Sequence, residues 1–375
     1  MRIRFTQEGL ASLLGRAQSV VERKTTRPIL ENALLEALDG KLRISVTDLR
    51  TTLTQVTACT VETPGAISVA ARKLYEIVRE LPKADVVIEV RENQWVTVSS
   101  GKSVFHLPGI APEEYPTLPD APQSFFSFPA DVFSSMIEKT IFAVSSDESR
   151  IYLTGVLVQE VVGDDGTPLL RMVATDGHRL SLVERPVGPH TACFGEGVIV
   201  PKKGVAELKA LIDTLDSESA RFELTAASGR VYARVGGSLL AVTLIDASYP
   251  NYEQVIPRDV KTWLACDRVS LTDALRRVSL LSDDETRSVI LEASERGLSL
   301  SSDNPRFGDA REEVELTYRG EPLRVAFNAQ YFLEALKVVD GPEVRIGISE
   351  VLSPCLIKSG EDARFLSVIM PMRIE

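Results

Sequence analysis

The stretch ATDGHRLSL (residues 174–182) sets a Thr, an Asp, a His and an Arg within five positions. Read alone, it looks like an active site. Two other stretches change that reading: SVTDLRTTL (45–53) and LSSDNPRFG (300–308). Each has a Ser or Thr, then an Asp, then an Arg two or three residues on. Asp48, Asp176 and Asp303 are spaced by 128 and 127 residues. A catalytic constellation is rarely written three times at even spacing; a structural repeat is. Asp favours such positions because its carboxylate bonds its own backbone two residues on, so the three acids are expected to be turn residues between strands.

The period is too long for a solenoid unit and suits three consecutive domains of one fold. FTQEGLASLLGRAQSVV (5–21), FPADVFSSMIEKTIFAV (128–144) and CDRVSLTDALRRVSLL (266–281) each follow a small or apolar start with apolar residues at helical spacing. Leu10, Leu13, Leu14 and Ala17 illustrate the i, i+3, i+4, i+7 stripe. Ser270 or Asp267 is placed to cap the third of these helices, and Pro129 suits the first turn of the second. A second helix of the same kind follows in each repeat: 69–81, 200–213 and 327–339. Between them lie alternating or β-branched runs such as KLRISVTD, RFELTAASGRVYARVG and EVRIGISE, with Gly, Asp-Gly or Ser-Gly turns. Each repeat therefore predicts helix, strands, helix, strands: an α+β unit built twice. Two Pro-rich connectors, GIAPEEYPTLPDAP (109–122) and LIDASYPNYEQVIP (244–257), share a Tyr-Pro pair. These set expected domains at 1–123, 124–253 and 254–375.

Composition excludes several classes. No apolar run reaches the ~20 residues that span a bilayer, and MRIRFTQEGL has no apolar core of a signal peptide. The four cysteines (59, 193, 266, 355) stand singly, which fits a reducing cytosol and not a metal site. No nucleophile elbow, Walker loop, dinucleotide fingerprint or His-Glu-x-x-His occurs, and no cofactor is expected. An enzyme would need His178 as a base beside Asp176, yet His178 has no counterpart near Arg50 or Pro305 in the other repeats. Net charge is −11, which on average opposes nucleic-acid binding. Its distribution does not: the six helical windows hold 11 basic and 10 acidic residues, the rest of the chain 31 and 43. Arg72–Lys73, Lys202–Lys203 and Arg276–Arg277 fall on helices. Ordinary solvated faces explain any one pair; helices that are near neutral to slightly basic as a set, in an acidic chain, suggest a positive surface lined by helices.

Taken together, ATDGHRLSL, ASYPNYEQVIP (247–257), PKKGVAEL (201–208) and the terminal VIMPMRIE (368–375) resemble one family over essentially the whole chain, the bacterial DNA polymerase III β subunit or sliding clamp. The resemblance implies a non-catalytic processivity factor in the bacterial cytoplasm, working at replication forks. Its fold would be three tandem clamp domains, two chains closing head to tail into a six-domain ring around double-stranded DNA, read without regard to sequence. Its partners would be a second copy of itself, the polymerase III catalytic subunit, the clamp loader and other proteins carrying a clamp-binding peptide.

The resemblance also implies sites. A peptide pocket would use Thr175, Gly177, His178, Arg179, Leu180, Pro250, Val255, Ser353, Val368, Met370, Pro371, Met372 and Arg373. DNA would meet Arg23, Lys24, Arg27, Lys202 and Lys203, then Arg150 and Arg287. Ring closure would bring Phe105 and Leu107 of one chain to Leu280 and Leu281 of the other. The loop SSDESR (145–150) departs from this pattern by placing acids near the expected DNA path, and VVGDDGTP (161–168) is longer than the pattern needs. A scaffold that organises proteins without encircling DNA is the alternative from another class.

Overall fold

The apolar stripes fold as helices. In the computed structural model these are α1 (Gln7–Val20), α2 (Ala71–Glu80), α3 (Ala130–Ile141), α4 (Lys202–Ile212), α5 (Arg268–Val278) and α6 (Ala329–Lys337). The structure describes residues 1–375 apart from 23–24, 187–192, 216–219, 296, 317, 319–320, 351 and 374–375. On α1 the buried face is Gln7, Leu10, Leu14, Ala17 and Val20, while Leu13 is half-buried at its edge. Each fully buried Leu or Val contributes about 1.5–3 kcal/mol. Capping follows side-chain chemistry. Thr6 Oγ1 accepts from Gly9 N (3.3 Å), Asn328 Oδ1 from Gln330 N (3.0 Å), and Asp267 Oδ1 from Ser270 N (2.7 Å). Of the two expected caps for α5, Asp267 therefore is the cap. Pro129 closes the strand Phe126–Pro129 just ahead of α3 instead of opening the helix.

The strands are antiparallel. They fall into two compact units, residues 1–130 with 206–244, and 131–205 with 245–375. The first unit carries one 13-stranded sheet. In it the strand Thr51–Ala58 pairs with Ser238–Thr243, so part of the central segment completes the sheet of the N-terminal one. The second unit carries an eight-stranded sheet, joined where Arg179–Pro186 pairs with Phe365–Ile369, and a four-stranded sheet of Ser288–Ser294, Gly297–Asn304, Gly308–Val314 and Leu323–Asn328. The two halves of the central segment thus bond to different neighbours, as a domain built twice allows. The long 161–168 segment is simply a hairpin tip, closed by Gly163 N donating to Thr167 O (2.9 Å).

One helix cation is internal. Lys139 on α3 is 3% exposed; its ammonium donates to Val338 O and Asp340 (both 2.8 Å), lies 3.5 Å from Asp362 and sits over the Phe365 ring. Asp362 is also held by Arg185 (2.6 Å). Burial works against the Asp362 carboxylate, but Arg185 and then Lys139 outweigh it and hold its pKa below the usual carboxylate range. A depressed folded-state pKa stabilises above the unfolded value of about 3.9, and the contribution disappears as pH falls through the folded one. The stability difference between wild type and Asp362→Asn is therefore expected to be full at pH 7 and to shrink below about pH 4, as read from urea midpoints. A difference independent of pH would remove the carboxylate from this role.

Candidate functional site

The repeated turn is built alike twice. Asp48 Oδ1 accepts from Arg50 N (2.9 Å) and Thr51 N (2.6 Å), and Asp176 Oδ1 from His178 N (2.9 Å) and Arg179 N (3.0 Å). The preceding threonine locks each one: Thr47 Oγ1 donates to Thr51 O (3.2 Å) and Thr175 Oγ1 to Arg179 O (2.6 Å). The third turn corrects the expected register. Asp303 is a strand residue paired with Asp309, and the turn acceptor is Asn304, whose Oδ1 takes Arg306 N (3.0 Å) and Phe307 N (3.3 Å). The spacing is then 128 residues in both steps.

The second turn walls a cavity. Its volume is about 150 Å³, with Thr175, Gly177, Arg179, Leu180, Pro250, Val255, Val368 and Met370 around it. Leu153, Asn251 and Tyr252 complete the wall. Sequence reasoning missed these three, although Asn251 and Tyr252 lie inside ASYPNYEQVIP between two residues it named. Gly177 has φ +91°, a conformation that favours glycine, and a Cβ there would stand 2.9 Å from the Arg150 guanidinium. Beneath the wall lies a core of Leu157, Val173, Leu182, Ile199 and Leu356.

Arg179 is 9% exposed and fully engaged. Its guanidinium donates to Asp176 (3.1 Å), to Phe142 O (2.7 Å) and to Glu334 on α6, and it lies over the Tyr331 ring at 4.6 Å. It is a strut built into the cavity wall. His178 stays exposed, stacked on Tyr331 (6.3 Å between centroids), while its carbonyl accepts from Met370 N (2.9 Å). Burial first, and then the Asp176 charge, raises the Tyr331 phenol pKa. Both Asp176 oxygens accept from the turn and from Arg179, while the His178 ring lies against Tyr331.

The remaining expected pocket residues stand outside the wall. Ser353 sits in a turn with its N–H on Glu350 O (3.0 Å). Met372 pairs with Ala326, its N–H donating to that carbonyl at 2.8 Å; Pro371 precedes it and Arg373 is exposed.

Of the expected DNA contacts, Arg23 and Lys24 lie outside the described residues. Arg27 is exposed at the head of a 3-10 turn (Pro28–Glu31). Lys202 is exposed at the start of α4 and Lys203 half-buried beside it. Arg287 is exposed, its carbonyl taking Ala329 N at the start of α6 (2.9 Å). Arg150 is ion-paired to Asp147 (2.8 Å) and leans over Gly177, which places it at the cavity rim. The helices hold more cations than they offer freely. Besides Lys139, Arg72 is tied to Val21 O (2.8 Å), Lys73 to Glu76, Arg276 to Asp273 (3.4 Å) and Arg277 to Glu312. The three ion pairs are exposed and hold only weakly, so a phosphate competes for them easily.

Two sheet edges complete the picture. Strand Ser103–Ile110 pairs along its length with Trp95–Ser100. On its other side, among the described residues, only Gly109 and Ile110 are paired. Phe105 on that edge is 41% exposed and Leu107 half-buried. Strand Gly308–Val314 is the open edge of the four-stranded sheet. The short turn ahead of that sheet exposes Leu280 by 79%, with Leu281 half-buried.

Among the described residues no His, Cys, Asp or Glu cluster is set to hold a metal, and no helix is long and apolar enough to cross a membrane. Burial, then Asp267, pushes the Cys266 thiol up to about 12.

Models of the DNA polymerase III beta subunit match the chain in order: the N-terminal domain over residues 1–119, the central domain over 127–251 and the C-terminal domain over 253–373. The beta sliding clamp of Caulobacter vibrioides is 36% identical and that of Escherichia coli K12 31% identical, each over all of both chains. A solved Caulobacter crescentus DNA polymerase sliding clamp matches with a TM-score of 0.93 at 34% identity. A Pseudomonas aeruginosa sliding clamp bound to griselimycin matches at 0.92 and 32%. Each alignment covers all of both chains. The architecture is that of a DNA sliding clamp, a processivity factor with no catalytic centre. The chain belongs to the DNA polymerase III beta subunit family.

Proposed function

We propose that three domains, 1–123, 124–253 and 254–375, pair head to tail with those of a second copy to close a ring on duplex DNA, and that the cavity beside Gly177 seats the peptide of the polymerase and other partners. The observation that carries this reading is the cavity itself. Small-molecule pockets run to ~300–1,000 Å³. One of about 150 Å³ with an apolar wall suits one or two anchoring side chains of a peptide, and the thioether of Met370 adapts to more than one. Arg27, Lys202, Lys203 and Arg287 are offered as loose phosphate contacts, with Arg23 and Lys24 beside Arg27 in the chain. Such contacts carry no sequence information, which sliding requires. Arg150 is reassigned from DNA to the pocket rim. Tethering acts through effective concentration: a polymerase that lets go rebinds before it diffuses away. The chain has no nucleotide motif, so ring opening falls to a clamp loader. We place this work in the cytoplasm, at replication forks.

Fluorescence polarisation of a labelled Gln-Leu-x-Leu-Phe peptide tests the pocket. Binding of roughly micromolar strength is expected, about −8 kcal/mol. Met370→Glu puts a charge into the apolar wall and is expected to weaken binding at least tenfold at unchanged circular dichroism. Equal affinity for both proteins would move the site elsewhere.

A further inference from the structure

Tyr252 forms part of the cavity wall and is only 8% exposed, yet its hydroxyl is bonded by a polar row whose members do not line the cavity. Three neighbouring strands place Gln159, Arg171 and Glu184 directly across from one another, Gln159 against Arg171 and Arg171 against Glu184. Gln159 Nε2 donates to Tyr252 Oη at 2.6 Å and Arg171 Nη1 donates to it at 2.9 Å. The same Nη1 reaches Glu253 (3.0 Å), and the rest of the guanidinium grips Glu184 at 2.7 Å. Burial disfavours the Arg171 charge, but the Tyr252 hydroxyl and the Glu184 carboxylate more than restore it, so its pKa lies above the ordinary value. Arg171 does not itself line the cavity. It pins the segment that supplies Pro250, Asn251, Tyr252 and Val255, four of the wall residues.

We infer that Arg171 is a positioning residue for peptide binding: through Tyr252 Oη it fixes the depth and width of the pocket, although no bound peptide would touch it. This rests on the proposed peptide site. Without the guanidinium, Tyr252 Oη keeps the Gln159 donor but loses the one that also holds Glu253, and the tyrosine ring is freer to tilt.

The test is a double-mutant cycle on peptide affinity with Arg171→Met and Tyr252→Phe, since paired residues that act through one contact fail to add. Arg171→Met keeps the aliphatic stem and is expected to weaken the Gln-Leu-x-Leu-Phe peptide about tenfold, chiefly through faster dissociation. Tyr252→Phe is expected to cost about threefold to fivefold, and the double variant no more than Arg171→Met alone. Arg171→Lys, which keeps one donor, is expected to recover part of the loss. Additive effects, or unchanged affinity in a folded Arg171→Met protein, would overturn the inference. If Arg171→Met does not fold, Tyr252→Phe and Arg171→Lys decide it, since both must then weaken binding. Failure of the wild-type protein to bind the peptide would instead overturn the pocket reading itself.

Discussion

Replacing Arg179 by Met is expected to lower the free energy of unfolding by about 3 kcal/mol. Removing one partner of a buried ion pair typically costs 3–5 kcal/mol, because the other partner keeps its desolvated charge. Here two carboxylates lose their cation: Asp176, 15% exposed, and Glu334, 31% exposed. Their partial exposure lets water relieve some of the cost and sets the figure at the lower end. The Phe142 carbonyl loses a donor as well, and the Tyr331 ring loses its stacked cation. Met conserves much of the stem, so packing changes little. Urea titration followed by circular dichroism reads the effect as a lower midpoint at unchanged slope. Because Arg179 also walls the cavity, peptide affinity is expected to fall in parallel. A loss under about 0.5 kcal/mol, the size of an ordinary surface substitution, would show that the strut carries no load.

Leu280→Asp is expected to act in the opposite manner, with almost no effect on the single chain and a large one on assembly. A leucine 79% exposed in the lone chain contributes little to its stability. At a ring-closing interface, however, the same side chain would be an anchor opposite Phe105. An unpaired carboxylate in a desolvated contact costs several kcal/mol. Sedimentation equilibrium is expected to show a dimer for the wild type and a monomer for Leu280→Asp, the dissociation constant rising at least a hundredfold. Phe105→Asp, on the other edge, is expected to do the same. A Leu280→Asp protein that remains fully dimeric would place the interface elsewhere.

Much of the architecture is legible in the chain because its signals are local. The stripe of Leu10, Leu14 and Ala17 writes α1, and the Thr-Asp turns recur because an Asp that caps its own backbone needs only its neighbours. The third turn lies one residue from its expected position for the same reason: Asp303 and Asn304 are both good acceptors, and only strand pairing decides between them. What the sequence could not reveal is set by partners distant in the chain. Lys139 reads as a solvated helix cation until Val338, Asp340 and Asp362 are brought to it. Arg179 reads only as a pocket residue until Glu334 and Phe142 close on it. Tyr252 hides between two recognised pocket residues, since nothing nearby in sequence shows that Gln159 and Arg171 hold its hydroxyl. Phe105, Leu107, Leu280 and Leu281 are singled out only by the family resemblance, because periodicity cannot distinguish an open edge from a paired one.

A sliding clamp holds DNA by surrounding it. The most direct measurement loads the labelled protein onto a nicked circular duplex with a clamp-loader complex and ATP, isolates the complex in moderate salt, and then cuts the circle once. Retention on the circle and prompt release from the linear form is the expected result, because a ring can slide off an end but cannot leave a circle. Release at the same rate from both forms, or retention after the cut, would mean that the protein binds DNA by surface contact, and the ring would have to be abandoned.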